Sequence, residues 1–443
     1  MKTIILTQKN RLKLTKEKHK IVKLLAYHSA RLYNVGLYSV RQYYFLNGEY
    51  LPYVKNYHLC KTNEHYKLLL SDTAQQILRL VDRNFKSFFN LLKLKKQCKY
   101  SDKIGLPKYK KDNELMTISI QGRSARIKDG YVYIGLSKTF KEKYKPKINK
   151  LVFKLPKHIQ VDKLQEVRII PVFNGMEFDI EFVYKKQVEP LSMDKNRYLS
   201  IDMGLDNLST CYSDSGAAFI IDGRYLKSVN RYYNKRVAYL KSIYDRQGIK
   251  YSKRLLRLKR KRDFRINNYF NLAVKYIADY CIQNKIGNIV IGDFRDIKQE
   301  INLGKKNNQN FTYIPYYKFK QKLKLKCEQL GISYILQDES YTSKASFIDM
   351  DTPANNTTFS GYRIKRGLYQ TKDGLKVNAD VNGAANILVK YLKSNGLSRE
   401  LENLYSTRYG CVNHPVRLRL AAPLRGNPKT DIPHKLPLLS GGS

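Results

Sequence analysis

Three short apolar runs in this chain each end at an acid, and that arrangement limits the folds it can adopt. Leu199-Ser-Ile-Asp-Met-Gly204 carries Asp202 where an alternating apolar strand meets a glycine turn. Gln337-Asp-Glu-Ser-Tyr-Thr-Ser-Lys344 carries Glu339 just beyond the apolar run Ile332–Leu336. Asn378-Ala-Asp-Val-Asn-Gly383 carries Asp380 at the start of a helical pattern. Acids at strand ends and helix starts can converge from distant parts of a chain, because an α/β sheet gathers those ends along one edge. Each acid also has a plain structural reading: a turn residue at Asp202, a surface charge at Glu339, a helix N-cap at Asp380.

The surrounding charge favours the chemical reading. Of 443 residues, 83 are Lys or Arg and 37 are Asp or Glu, a formal net charge of +46. Such an excess repels itself unless a polyanion is near, so the expected partner is nucleic acid. A basic body with an acidic centre suits phosphodiester hydrolysis. The basic part holds the backbone, and the carboxylates hold Mg²⁺, two ions roughly 3.5–4 Å apart in the common arrangement. The six cysteines are scattered with no Cys-x-x-Cys pair, which indicates neither a zinc ribbon nor a disulfide framework. No apolar run approaches a membrane span, and the N-terminus lacks the apolar core of a signal peptide, so a cytoplasmic protein without a membrane partner is expected.

Pattern divides the chain. A strand at 2–8 precedes helical patterns at 16–48 and 73–98. The second presents Ile77, Val81, Phe85, Phe88 and Leu92 on one face, with Asp72 and Gln75 as a capping box. Between 105 and 186 the chain reads as strands, with hairpin turns at Asp129-Gly130 and Asn174-Gly175. Met176, Phe178, Ile180 and Phe182 give the last strand one buried face. A basic β-barrel or sandwich, completed by the strand at 2–8, is expected. Residues 187–196 read as a linker. Strands at 198–203, 208–213 and 217–221 follow, then a basic helical stretch at 224–284, a strand at 287–292, a helix at 316–330, a strand at 332–338 and a helix at 381–394. That is the element order of a ribonuclease H-like fold. The proline-bearing stretch 397–443 reads as largely disordered, its terminal Ser-Gly-Gly-Ser as a linker scar.

Lys253, Arg254, Arg257, Arg260 and Lys261 form the centre of a basic run that holds a single acid, Asp263. A helix with this face beside the carboxylates is suited to tracking phosphates. Tyr232, Tyr233, Tyr239 and Tyr244 are placed to stack on bases or to pack between helices.

Together these motifs resemble TnpB, the transposon-encoded RNA-guided nucleases related to Fanzor and to type V CRISPR effectors. Ile201–Thr210 is similar to the family's first RuvC motif, and Lys376–Ile387 to its third. Glu339–Ser346 and Ser360–Tyr369 are also family-like. The resemblance implies a multidomain α+β fold. In it, a helical recognition domain (15–100) is inserted in a wedge-type β-barrel (1–14 and 101–190), followed by a RuvC-like nuclease domain (191–396) with an insert at 345–378. It implies an RNA-guided, Mg²⁺-dependent DNA endonuclease with Asp202, Glu339 and Asp380 as catalytic metal ligands. Its partners would be a structured, transposon-derived guide RNA and target double-stranded DNA, and the protein would be a monomer. Two departures stand out. Gly292 occupies the position where the second motif usually places a Glu, and Asp293 would point to the opposite face. Glu339, on the next strand, is the replacement expected from a branch of the family, with Asp338 as the fallback. The insert has no Cys or His, so thiolate zinc is not expected there. The loss at Gly292 also leaves a competing reading, an RNA-guided DNA-binding repressor without nuclease activity.

Overall fold

The computed structural model of the chain describes residues 2–250, 252–293, 314–355, 357–410 and 415–420. It divides into two compact units, Thr3–Gln187 and Val188–Ser443, the latter with Met1–Lys2.

The first unit begins with β1 (Lys2–Arg11) and the helices α1 (Lys16–Asn47), α2 (Tyr53–Cys60), α3 (Glu64–Lys67) and α4 (Ser71–Lys96). Thr15 caps α1 by accepting from the Lys18 amide, and Gly48 ends it in the left-handed region. On α4, Ile77, Val81 and Phe85 are buried as the spacing predicts. The expected capping box is not formed. Leu70 stands at the N-cap, and Asp72 instead accepts from Arg123 and Ser124. The strands are β2 (Ile118–Gln121), β3 (Arg126–Lys128), β4 (Tyr131–Gly135), β5 (Lys150–Lys154), β6 (Leu164–Val172) and β7 (Glu177–Val188), with α5 (Lys138–Tyr144) between β4 and β5. Both predicted hairpins form, with positive φ at Asp129, Gly130, Asn174 and Gly175. Phe178, Ile180 and Phe182 are buried. The strands do not make one barrel. They form a four-stranded sheet, β1-β7-β6-β2, and a separate three-stranded sheet, β3-β4-β5. The chain leaves the first sheet at Gly122, whose backbone closes on the Leu164 carbonyl so tightly that a Cβ would lie 2.2 Å from it. One core, including Leu37, Phe85, Phe140, Val167 and Phe182, serves helices and strands alike.

The second unit is built on a mixed sheet. Its strands are β8 (Asp194–Asp202), β9 (Asn207–Ser213), β10 (Ala218–Asp222), β11 (Ile286–Asp293), β12 (Ser333–Asp338) and β16 (Val416–Leu418). Their order is β12-β11-β8-β9-β10-β16, with β8-β9-β10 an antiparallel meander and β11 and β12 parallel to β8. The helices are α6 (Arg224–Arg246), α7 (Lys253–Gln283), α8 (Tyr316–Leu330), α9 (Ala379–Ser394) and α10 (Ser398–Ser406). A small sheet, β13 (Tyr362–Lys365), β14 (Leu368–Gln370) and β15 (Lys376–Asn378), leads into α9. The basic stretch at 224–284 is two helices, because Gly248 takes φ +65° and Ser252 starts α7 by accepting from the Leu255 amide. The segment expected to be disordered carries α10 and β16, while residues beyond 420 lie outside the described ones. β16 extends the sheet by pairing with β10.

The sheet has two covered faces. Leu199 and Ile201 of β8 pack with Phe270 of α7 and Phe319 of α8. Tyr198 of β8 and Val290 of β11 pack with Ala384, Ile387 and Leu388 of α9. Because side chains alternate, Asp202 and Gly292 continue the α9 face.

Candidate active site

The register of the parallel strands sets the site. Ile201 pairs with Ile291, so Asp202 on β8 stands level with Gly292 on β11. Gly292 in turn pairs with Gln337 on β12. Glu339 follows Gln337 by two residues and returns to the same face. Asp293 and Asp338, one residue out of step, form a pair of their own on the opposite side of the pleat.

Asp293 follows this parity by facing Lys320 of α8, whereas Asp338, at the end of β12, reaches Lys390 of α9. Glu339 Oε2 lies 2.5 Å from where a Cβ on Gly292 would sit, and Glu339 Cβ 3.6 Å from it. The Glu339 carboxylate therefore occupies the space that a side chain at 292 would need. Its Oε2 is buried with no hydrogen-bond partner. Asp293 is engaged by Lys320 of α8, whose Nζ is 2.9 Å from the Gly292 carbonyl oxygen and 3.4 Å from Asp293 Oδ1. Asp338 is engaged by Lys390 of α9 at 2.5 Å. Asp338, the fallback acid, and Asp293 are thus ion-paired, whereas Glu339 Oε2 stands against Gly292.

Helix α9 covers the other side. Asn378 is its N-cap, accepting from the amides of Asp380 and Val381, so Asp380 is not the cap and its carboxylate is available to the cleft. A turn further along, a Cβ on Gly383 would lie 3.2 Å from Asp202 Oδ2, and after another turn Ile387 Cδ1 packs at 3.1 Å from the same imagined atom on Gly292. A bulkier residue at 383 would press on Asp202. Asn382 and Asn386, both fully buried, donate to the Ala345 carbonyl at 2.8 and 2.6 Å, and Asn386 also to that of Thr342 at 3.0 Å. The helix that presents Asp380 thereby also fixes the loop that begins at Glu339.

Asp202 and Asp380 line an open cleft of about 420 Å³ with Asp206, Asn207, Thr210, Arg363 and Arg366. Asn207 donates to Asp380 Oδ2 at 2.5 Å and is itself held by Arg417 of β16 at 2.7 Å. Arg363 Nη2 lies 3.3 Å from Asp380 Oδ1, Arg366 Nη2 lies 2.8 Å from Asp206 Oδ2, and Lys227 also pairs with Asp206. Burial raises the Asp202 carboxyl well above its ordinary value. The neighbouring Glu339 and Asp380 charges add to the rise, and Arg363 opposes it. Burial likewise lifts Glu339 to about 7, against Lys320 and with Asp338 and Asp293. Such shifts mark acids gathered at a point where their own repulsion goes uncompensated.

The donor set fits a hard cation. It is all oxygen, it includes an orphaned buried carboxylate oxygen at Glu339, and it places like charges around Asp202. Among the described residues, no three His, Cys, Asp or Glu side chains are already grouped as a ready-made cation cage.

Of the basic residues picked from sequence, Lys253, Arg254, Arg257 and Lys261 are exposed on α7, and Arg260 is half-buried. Arg262 is turned inward, donating to Asn230 at 2.7 Å and covering the Tyr233 ring. Tyr232 and Tyr239 are exposed on α6. Sequence reasoning missed Asp206, Asn207, Arg363 and Arg366 as members of the cleft, and Lys320 as the partner of Asp293. Four of them lie within segments already marked as motifs, Ile201–Thr210 and Ser360–Tyr369, and that was the available signal.

Comparison with known proteins agrees with this architecture. Residues 181–298 match the OrfB_IS605 family, described as a probable transposase, and residues 316–387 match the Cas12f1-like TNB domain. The chain is 26% identical to the TnpB-like protein ORF457 of Acidianus two-tailed virus, over 83% of this chain and 82% of that protein. It is 27% identical to the CRISPR-associated endodeoxyribonuclease Cas12f1 of Sulfoacidibacillus thermotolerans, over 49% of this chain and 50% of that protein. In fold it is similar to Cas12f1 in a cryo-EM complex with sgRNA and target DNA. The TM-score is 0.58 and the identity 18%, over 84% of this chain and 83% of that one. Among the described residues, no helix is long and apolar enough to cross a membrane.

Proposed function

The chain belongs to the TnpB family, related to the type V effectors, and from that premise we propose that it is a RuvC-type, Mg²⁺-dependent endonuclease. It cleaves DNA complementary to a bound, transposon-derived guide RNA, next to a short target-adjacent motif. The observation that carries the proposal is the Glu339 carboxylate standing in the space before Gly292, on the same face as Asp202. An abandoned site has no reason to keep an unpartnered buried carboxylate there, since leaving it costs stability.

Asp202, Glu339 and Asp380 would hold Mg²⁺, two ions in the arrangement proposed here, which neutralise charge at the phosphorus and activate water. The protein's own part is to fix these oxygens. Asn207 orients one oxygen of Asp380, and Gly383 lets α9 approach Asp202. The three-stranded insert, without Cys or His, brings Arg363 and Arg366 to the cleft mouth. In this reading 15–100 recognises nucleic acid, 1–14 and 101–190 form the wedge, and the exposed face of α7 tracks phosphates. The protein works as a monomer with one RNA in the cytosol, where guide pairing reads the sequence and the protein reads duplex shape.

The test is to purify the chain with its RNA, sequence that RNA, and incubate the complex with matched DNA and Mg²⁺. Cleavage that Asp202→Ala or Glu339→Ala abolishes, with RNA and DNA binding intact, supports the proposal. Guide-dependent binding without cleavage by the unaltered protein would instead mark a repressor. Normal cleavage by Glu339→Ala would sink the relocated acid.

A further inference from the structure

We propose that Arg363 and Arg366 form a counter-ion latch on the acidic cleft, released when nucleic-acid phosphate takes over the two guanidinium groups. Cation loading and strand arrival would then be coupled events. The inference rests on reading the cleft as a nuclease centre, and adds a control that the reading alone does not require.

The latch is one piece of chain. Arg363 lies on β13 and Arg366 in the turn to β14, where Gly367 takes φ +82°. Two residues three apart therefore reach two different carboxylates, Asp380 and Asp206, across the mouth of the cleft. Among the described residues β13 pairs with β14 alone, and it is exposed along its whole length. The Arg363 and Arg366 side chains are 41% and 71% exposed. Each guanidinium thus has a carboxylate on one side and open solvent on the other. Exposed ion pairs of this kind are weak. A phosphate offers the same groups a bidentate partner, and guanidinium recognises phosphate as readily as carboxylate.

Charge balance gives the direction. At the cleft mouth Asp206 and Asp380 are met by Arg363, Arg366 and Lys227. A dication that enters beside these acids competes with the guanidinium groups for the same carboxylates, so each cation that enters favours the departure of a guanidinium or the arrival of an anion. The backbone of a DNA strand supplies the anion and draws off the guanidinium in one event.

The test reads metal binding, not cutting. Mn²⁺ is titrated by electron paramagnetic resonance into the full chain with its copurified RNA, with and without a short single-stranded oligodeoxynucleotide. The Asp202→Asn/Asp380→Asn double variant carries the same RNA and supplies the background. The unaltered protein is expected to bind Mn²⁺ at the cleft roughly fivefold or more tightly once the oligonucleotide is present, a coupling of ordinary size. Arg363→Gln is expected to bind Mn²⁺ more tightly than the unaltered protein without DNA and to lose most of that gain. Arg363→Lys, which keeps the charge, should fall between them. Cleft binding in which Arg363→Gln matches the unaltered protein, or binds more weakly, overturns the latch and leaves the nuclease reading standing. Mn²⁺ binding no greater than in the double variant, with or without DNA, overturns both.

Discussion

Glu339 and Gly292 share one volume: the glutamate's Oε2 lies 2.5 Å from the place a Cβ would occupy on the glycine. The glycine is therefore a condition for the acid's position. Gly292→Ala should push the Glu339 carboxylate aside. The displaced group is the far end of a flexible side chain, so Tm should change little, while cleavage falls by about 10²-fold, the usual effect of a small misplacement at a reacting centre. Glu339→Ala empties the same volume. Adding Gly292→Glu to it returns an acid to the position level with Asp202, and cleavage by the double variant should exceed that of Glu339→Ala alone. No gain in the double variant would show that level placement on β11 is insufficient.

The raised acids make the metal-free protein sensitive to pH in a definite direction. Burial lifts Glu339 from an ordinary 4.5 to about 7, so the folded state holds its proton over a range in which the unfolded chain has lost it. Folding is then weakened progressively as pH rises from about 4.5 to 7, and no further above that. Glu339→Gln removes the titration. The difference in Tm between Glu339→Gln and the unaltered protein, measured in chelator, should therefore widen in favour of the variant between pH 5 and 8. Adding Mg²⁺ at pH 8 should raise Tm of the unaltered protein and leave the variant nearly unmoved, because a bound cation reverses the repulsion. A Tm difference independent of pH would mean that Glu339 is not buried as described.

What sequence could reveal here followed from local periodicity. The meander, the parallel strands and their helices were legible because alternation and helical spacing act over a few residues. The turns at Asp129-Gly130 and Asn174-Gly175 carry their own conformational preference. The parity that sets Glu339 apart from Asp338 was legible too, and Glu339 stands against Gly292. Interactions over long separations were not legible. Asp72 looked like half of a capping box and is instead taken by Arg123 and Ser124, some fifty residues away. Strands as short as β14 and β15, three residues each, have no measurable period, so the small sheet that carries Arg363 was invisible as a sheet. The barrel expected of the N-terminal unit failed because closure is a property of a whole set of strands. One tight turn at Gly122 is enough to divide them.

The two buried asparagines of α9 hold the loop that begins at Glu339, through the Thr342 and Ala345 carbonyls. Asn386→Ala would remove the amide that serves the Thr342 and Ala345 carbonyls, leaving the first without this donor and the second with only Asn382. Loss of a buried hydrogen-bond partner costs roughly 1–3 kcal/mol, which should appear as a Tm several degrees lower. The loop that starts at Glu339 would then be held less firmly to the helix that carries Asp380. Cleavage at saturating DNA should fall by more than the folded fraction does, with DNA affinity unchanged. Equal losses in both would reduce Asn386 to a packing residue.

The exposed basic face of α7 makes a prediction that is independent of the cleft. Lys253, Arg254, Arg257 and Lys261 point to solvent along a helix that Ser252 caps at its start, and Arg262, held by Asn230 and Tyr233, does not share their freedom. If the first four meet phosphates, neutralising any two of them, for example Arg254→Gln with Arg257→Gln, should weaken RNA or DNA binding and flatten its dependence on salt. Each lost phosphate contact should reduce the slope of log affinity against log salt by about 0.7–0.9. Arg262→Gln should behave differently, leaving that slope alone and lowering Tm, because it removes a contact between helices. A double variant with an unchanged salt slope would reassign this face to plain solvation, and the search for the guide's path would move to other basic surfaces of the chain.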